Sequence, residues 1–362
     1  MAAVLGGFLW FVTTITPYQP PQQQAVFYWA DDHAVDRGTY QRVRVTQVEQ
    51  KYVQGELIDG DNKGVVATVR TGSQLERHQL LQQGDIIIVT ESVSDGKRGA
   101  LSYVDTMRLP ALAVLLAVFI VCVVFVSGRQ GALSVVGLIL SILVIGWLIV
   151  PLILSGYDPL FVSLVGSYII AVVSVLVSHG WCKRTFIAIA CIVGVLTLVA
   201  CLAWLVTIVA SLSGIADEVN YYLLQSNEHL NMRGIVTGGI VIAALGVLDD
   251  VVTTQVATVD ELHNTDKRQT RKQLFKSAAS VGSEHVASLV NTLALAYVGA
   301  SLPFVVMLAS QSVMPPILML NGEYIATEII RTLVASIGLV VAVPLSTAVA
   351  AAVYKRSATM RV

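Results

Sequence analysis

Charge is what this sequence is short of. Asp, Glu, Lys and Arg make up 13% of its 362 residues, against roughly 25% in a soluble globular chain. Its apolar residues gather instead into several runs of about 20, the length at which a helix crosses a bilayer. This excludes a soluble globular protein and implies a polytopic one. Cysteine is scarce too. Cys122, Cys182, Cys191 and Cys201 all lie in or beside apolar runs, with no CxxC or Cys/His spacing. That argues against a disulfide framework and a structural zinc site, and leaves small buried hydrophobes. Ten prolines are too few for long disordered linkers. No GxxxxGK[ST] loop, HExxH motif or Ser–His signature occurs, so ATP-driven work and the common hydrolytic mechanisms find no machinery here. No cofactor is expected, and any transport must draw on a gradient or on a separate ATPase chain.

What is there divides into four parts. Residues 1–16 are short and apolar without a basic leader or a clear cleavage site, and read as a signal anchor or transmembrane helix. Residues 17–108 form the only sizeable soluble region. There "YQRVRVTQV", "GVVATVRTG" and "GDIIIVTESV" alternate apolar with polar residues, the period of a strand. "DGDNKG" and "SDGKRG" are turn clusters between them. The first reads as a hairpin turn rather than a calcium loop, lacking the terminal Glu. About five short strands predict a small β-barrel or OB-like domain. Residues 109–354 are a seven-helix transmembrane domain, and 355–362 a cytoplasmic tail.

The seven spans are placed at 109–126, 131–153, 160–177, 185–212, 234–258, 286–309 and 325–354. Every second connector is basic: "SGRQG", "HGWCKR", residues 266–276 and the tail "KRSATMRV". By the positive-inside rule these are cytoplasmic and the β domain is outside. With the anchor this makes about eight helices and places both termini inside. Residues 215–231 predict an amphipathic helix at the outer surface. The basic stretch 267–277 fits topology and lipid headgroups, and no nucleic-acid role.

The polar residues inside the spans are the candidates for function. In "ALGVLDDVVTTQVATVDEL", Asp249, Thr253 and Asp260 follow one helical line, and Asp250, Thr254 and Thr258 an adjacent one. Asp249 lies roughly 22 Å from Gly234 at helical rise. A lipid-facing charge at such depth costs at least about 2.5 kcal/mol. Two explanations stand open: a polar cavity facing the cytoplasm, or a helix end leaving the membrane. The next span carries Glu284, His285, Ser288 and Asn291. Asp249, Asp250, Thr253, Glu284, His285 and Asn291 are therefore expected to converge, as a divalent-cation or proton-relay set. Adjacent aspartates diverge by about 100° on a helix, so Asp249 and Asp250 do not form a catalytic pair, and no enzyme is expected. The last span places Glu328 and Arg331 three apart, as an intramembrane ion pair. Glu323 reads as solvated at the outer interface, and Leu302-Pro303 as a kink in the sixth span.

The segments "RGIVTGGIVIAALGVLDDVVTTQVATVDELH", "GSEHVASLVNTLALAYVGASLPFVVML" and "GEYIATEIIRTLVASIGLVVAVPLSTAVAA" resemble the YibE/F family of multi-pass bacterial membrane proteins. The LDD form looks like its actinobacterial members. The resemblance implies a bacterial cell (plasma) membrane location and a family described as predicted permeases; it implies no mechanism. Asp249, Asn291, Glu328 and Arg331 fall in the matching segments. The function expected is that of a gradient-driven permease for a small solute or ion. The alternative is a non-transporting assembly or sensor component. The partners expected are the lipid bilayer, that solute or ion, and a second copy or another protein meeting the β domain.

Overall fold

The structure is a computed structural model that describes residues 40–49, 52–59, 62–70, 81–94, 97–216, 218–310 and 315–359. The expected anchor at 1–16 and the end of the tail lie outside them. The chain forms two compact units, Met1–Phe119 and Ile120–Val362.

In the first unit, alternation of apolar and polar residues produces strands with one buried face. These are β1 (Gln41–Val48), β2 (Tyr52–Leu57), β3 (Val66–Arg70), β4 (Ile86–Ser94) and β5 (Lys97–Thr106). They close into a barrel in the order β1-β2-β3-β5-β4, with β3 and β5 parallel and the other pairs antiparallel. Closure removes the exposed edges an open sheet would leave. Val43, Val45, Val53, Val69, Ile87 and Val89 fill the interior. Gly55 pairs with Val45. A Cβ there would press on Val43 and lie 2.6 Å from the Arg44 carbonyl oxygen, so only glycine lets β2 lie this close to β1. Outside the barrel, Arg42 donates two hydrogen bonds to the Asp59 carboxylate, at 2.6 and 2.7 Å. Those hydrogen bonds hold Asp59 below the usual carboxylate range. The small stability this exposed pair supplies is present above that range and is lost as pH falls through the lowered value.

The second unit is helical, and its first helix already begins within the first unit, at Leu109. The helices are α1 (Leu109–Val144), continued by a π-turn at Ile145–Ile149 and α2 (Val150–Leu154), then α3 (Pro159–His179), α4 (Lys183–Val209) and α5 (Glu218–Ser226). After these come α6 (Met232–Thr265), α7 (Arg271–Ala300), α8 (Leu302–Ser310), α9 (Pro316–Asn321) and α10 (Glu323–Thr359). Five stretches among the described residues are long and apolar enough to cross a membrane: Leu109–Leu154, Pro159–His179, Lys183–Val209, Met232–Thr265 and Glu323–Lys355. The first has 46 residues, about 69 Å if straight. It is not straight. Gly128 has φ 56° and ψ −133°, and a Cβ on Gly131 would come within 2.5 Å of the Val123 carbonyl oxygen. Eight residues of straight helix would separate the two by about 12 Å. The chain therefore bends sharply in "SGRQG", where the sequence places a connector.

The expected sixth span is not one helix. α7 begins earlier, at a Thr270–Gln273 capping box, and stops at Ala300. α8 starts at Leu302, with Pro303 in its first turn, where a missing N–H costs nothing. α7 is also too polar to stand among the five apolar stretches.

α6 is the hub, packing against α3, α4, α7 and α10. Its inward residues, Ile240, Val241, Ala244, Leu248, Val252 and Val256 among them, join one apolar core. It also carries buried polar ties. The Thr237 hydroxyl meets that of Thr207 on α4 at 3.3 Å. Gln255 Nε2 donates to the Ala278 carbonyl of α7 at 2.9 Å and to Thr347 Oγ1 of α10 at 2.7 Å. At one end of the bundle Glu323 is not simply solvated. Its carboxylate accepts from the Ser213 and Gly214 amides and the Ser213 hydroxyl, at 2.6–2.8 Å. The start of α10 is thus latched to the loop after α4.

Three outcomes are expected. Gln255→Leu removes two buried hydrogen bonds and should cost about 1–2 kcal/mol, read as a lower unfolding temperature of the full chain in detergent. Thr258→Ala, whose hydroxyl bonds only its own helix, should leave that temperature nearly unchanged. Gly55→Val should open the barrel, seen as faster proteolytic cleavage within residues 40–106.

Candidate functional site

Asp249 sits mid-way along α6, half-buried, while Asp250 beside it is exposed. Their divergence follows from the 100° step per residue. The Ser174 hydroxyl of α3 donates to Asp249 Oδ2 at 3.1 Å. Thr253 Oγ1 donates to the Asp249 carbonyl at 2.8 Å. Asp249 Oδ1 is shielded from solvent and has no hydrogen-bond partner among the described residues. The carboxylate is therefore held from one side only, by a neutral hydroxyl.

One turn along α6 a cavity of about 210 Å³ opens between α3, α4 and α6. Thr253 and Thr254 of α6 line it, with His179 of α3, Arg184 and Thr185 of α4, and Gln130 from beyond the bend in α1. Val175, the neighbour of Ser174, lines it as well, with Ala188 and Ala257. The charges of Arg184 and Asp250 both reach His179. Hydroxyls, an amide, an imidazole and a guanidinium thus open onto one small space with otherwise apolar walls, and Asp249 lies one turn away along α6 without lining it.

The expected convergence of Asp249 with Glu284, His285 and Asn291 does not occur. Those three side chains are exposed on α7. The surface that α6 turns towards α7 is apolar: Val247 and Val251 pack with Val286, Leu289, Val290 and Leu293. Asp249 is two residues from each of those valines, hence about 200° round the helix. Among the described residues no group of three or more His, Cys, Asp and Glu is placed to hold a metal ion, so the divalent-cation set expected across α6 and α7 is not assembled.

Arg331 donates to Glu328 Oε1 at 2.7 Å, and both side chains are about one-quarter to one-third exposed. Both belong to α10, so the pair neutralises charge within one helix and does not clamp two together. Glu328 lines a second cavity of about 280 Å³ with mostly apolar walls, Tyr297 and Leu333 among them. Phe304 and Tyr324 stack in it with ring centroids 4.4 Å apart.

Ser174, His179, Arg184 and Gln130 were not among the residues singled out from the sequence. A signal for two of them existed. "HGWCKRT" and "VVTTQ" fall at the same end of the bundle once the connectors alternate sides. The basic connector was read for its charge alone. Ser174, within "AVVSVLV", has no such flag.

Neither a curated protein nor a solved structure matches the chain. Residues 115–356 match the YibE/F-like protein family, a stretch that holds the cavity, Asp249 and the Glu328–Arg331 pair and leaves the barrel outside. The chain is a member of the YibE/F-like family.

Proposed function

We propose that the chain is a gradient-driven membrane permease for a small solute or ion, in which Asp249 and Ser174 form a polar station one turn along α6 from the α3–α4–α6 cavity. The observation that carries this reading is the buried Asp249 Oδ1, unpartnered among the described residues, one turn along α6 from a cavity whose wall includes Thr253, Thr254, His179 and Arg184. In a purely structural role both carboxylate oxygens would be matched, as the Gln255 amide donor is. Intramembrane acids that face the bundle interior mark ion or proton paths, which supports this reading. The basic connectors support an orientation with this cavity facing the cytoplasm, eight spans, both termini inside and the barrel outside a bacterial plasma membrane. No enzymatic step is assigned.

One observation favours a second reading, a non-transporting assembly or sensor component. The barrel is a compact unit with its own core, and lies outside the family match. A partner or ligand would then bind there, and Asp249 would serve packing.

The readings separate in proteoliposomes holding the full chain and pyranine, challenged with sodium, potassium, magnesium or phosphate gradients. The permease reading expects solute-dependent proton or ion flux. Asp249→Asn should lower it by about tenfold or more, the effect of about 1.4 kcal/mol. Ser174→Ala should lower it less, and the exposed Asp250→Asn least. Full flux in Asp249→Asn would remove that residue from the mechanism. No flux under any gradient, with a partner co-purifying through residues 40–106, would favour the second reading.

A further inference from the structure

α3 and α6 run parallel in a fixed register. Ser174 bonds Asp249, and a Cβ on Gly238 would press on the Ser163 hydroxyl; both pairs are 75 residues apart. His179 and Thr254 have the same separation, and both line the α3–α4–α6 cavity. Gly180, with φ 72°, turns the chain sharply after α3. α4 then opens at Lys183, and its second residue, Arg184, reaches the same wall. Gln130 enters from α1.

The polar groups of this wall differ in what they have left to give. The Thr253 hydroxyl is committed to the Asp249 carbonyl at 2.8 Å. The Thr185 hydroxyl meets the Cys182 thiol at 2.9 Å. The Gln130 amide, the His179 ring and the Thr254 hydroxyl form no side-chain hydrogen bond among the described residues. Arg184 lies by the Cys182 thiol and has no ion-pair partner among them. No Asp or Glu lines the cavity; Asp249 and Asp250 stand on α6 outside its wall. The one fixed charge in the wall is therefore positive. A metal cation would meet a guanidinium there and no counter-charge. A neutral solute would leave the guanidinium unanswered. An oxyanion answers both it and the neutral donors, and the planar fork of arginine fits two oxygens of a phosphate at once.

Size narrows the class. The cavity holds about 210 Å³, room for about seven waters at roughly 30 Å³ each. Sites for drug-sized ligands run to roughly 300–1,000 Å³. A small tetrahedral anion fits, and a whole nucleotide does not. Gln130, Arg184 and Thr254 are exposed, while Val175 and Ala188 are buried. The donors thus ring the mouth over an apolar floor, and an anion held there keeps water on its outer side. In the loop between His179 and Arg184, Trp181 is 80% exposed and meets Phe186 edge to face, with ring centroids 5.7 Å apart. Exposed aromatics of this kind belong at the headgroup level of a bilayer. A phosphate can therefore arrive from the water or on a lipid.

We infer that the mouth of the α3–α4–α6 cavity is a binding site for a phosphate-class oxyanion, anchored by the Arg184 guanidinium with Gln130, His179 and Thr254 as further donors. As the solute of a permease this anion rests on the permease reading; as a binding site it does not.

Radiolabelled orthophosphate titrated against the purified full chain in maltoside detergent tests one source, and native mass spectrometry of retained lipids tests the other. Arg184→Gln should weaken whichever ligand the native chain holds by about tenfold or more, the loss of a charge-assisted hydrogen bond. Arg184→Lys should restore only part, because an ammonium has no fork. Thr254→Val should weaken binding by about threefold. Arg271→Gln, at the exposed start of α7, should leave it unchanged. Saturable orthophosphate binding, displaced by sulfate and not by equal chloride, identifies a dissolved anion. Its absence, with phosphatidylglycerol retained by the native chain and lost in Arg184→Gln, identifies a headgroup. Either result supports the site. Binding of both ligands unchanged in Arg184→Gln, or absent, would overturn it, as would displacement by chloride as readily as by sulfate. Phosphate bound without flux under any gradient would keep the site and remove the permease reading. Cation flux without phosphate or headgroup binding would do the reverse.

Discussion

Inside a bilayer a polar side chain has no water to fall back on, and each one must be met by another part of the protein. α6 shows how this constraint organises the bundle. It makes a buried or half-buried polar contact to every helix it packs against: Thr237 to Thr207 of α4, Asp249 to Ser174 of α3, and Gln255 to both Ala278 of α7 and Thr347 of α10. From Thr237 to Gln255 these ties span about 27 Å of helix, nearly the thickness of the hydrocarbon core. Apolar packing alone discriminates poorly between neighbours in lipid, since the lipid tails are as apolar as leucine. Directional ties at three heights select one arrangement of four partners.

The three ties are not equal. Gln255 places its one amide nitrogen against two acceptors, and Thr347 passes its own proton on to the Val343 carbonyl. Thr237 and Thr207 each have a carbonyl of their own helix within reach as well. Asp249 alone is left with one oxygen matched and the other buried and bare. A stability role would be served as well by Asn or Ser at this position. This asymmetry sets Asp249 apart from the other polar ties of α6.

Much of this was legible in the sequence, and the rest was hidden for a definite reason. Alternation in "YQRVRVTQV" specified a strand with Val43 and Val45 inward, because a period of two leaves no other choice once one face is buried. The small, turn-prone "SGRQG" marked the bend at Gly128. The i, i+3 spacing of Glu328 and Arg331 was enough to pair them, since both partners lie on one helix. Asp249 was different. Helical spacing says which residues share a face; it does not say which of four neighbours that face meets. Sequence adjacency suggested α7, and the structure turns Val247 and Val251 to α7 and Asp249 to α3. Glu323 failed for a related reason: its partners are backbone amides of a loop 110 positions earlier, and no side-chain pattern records them.

The same two-residue offset explains why the polar side chains of α7 could be misplaced. Val286, Leu289, Val290 and Leu293 occupy its packed side, so Glu284, Ser288 and Asn291 are carried outward by the geometry of the helix. A polar face turned inward would have had to meet the valines of α6. The valine layer also insulates it from Asp249.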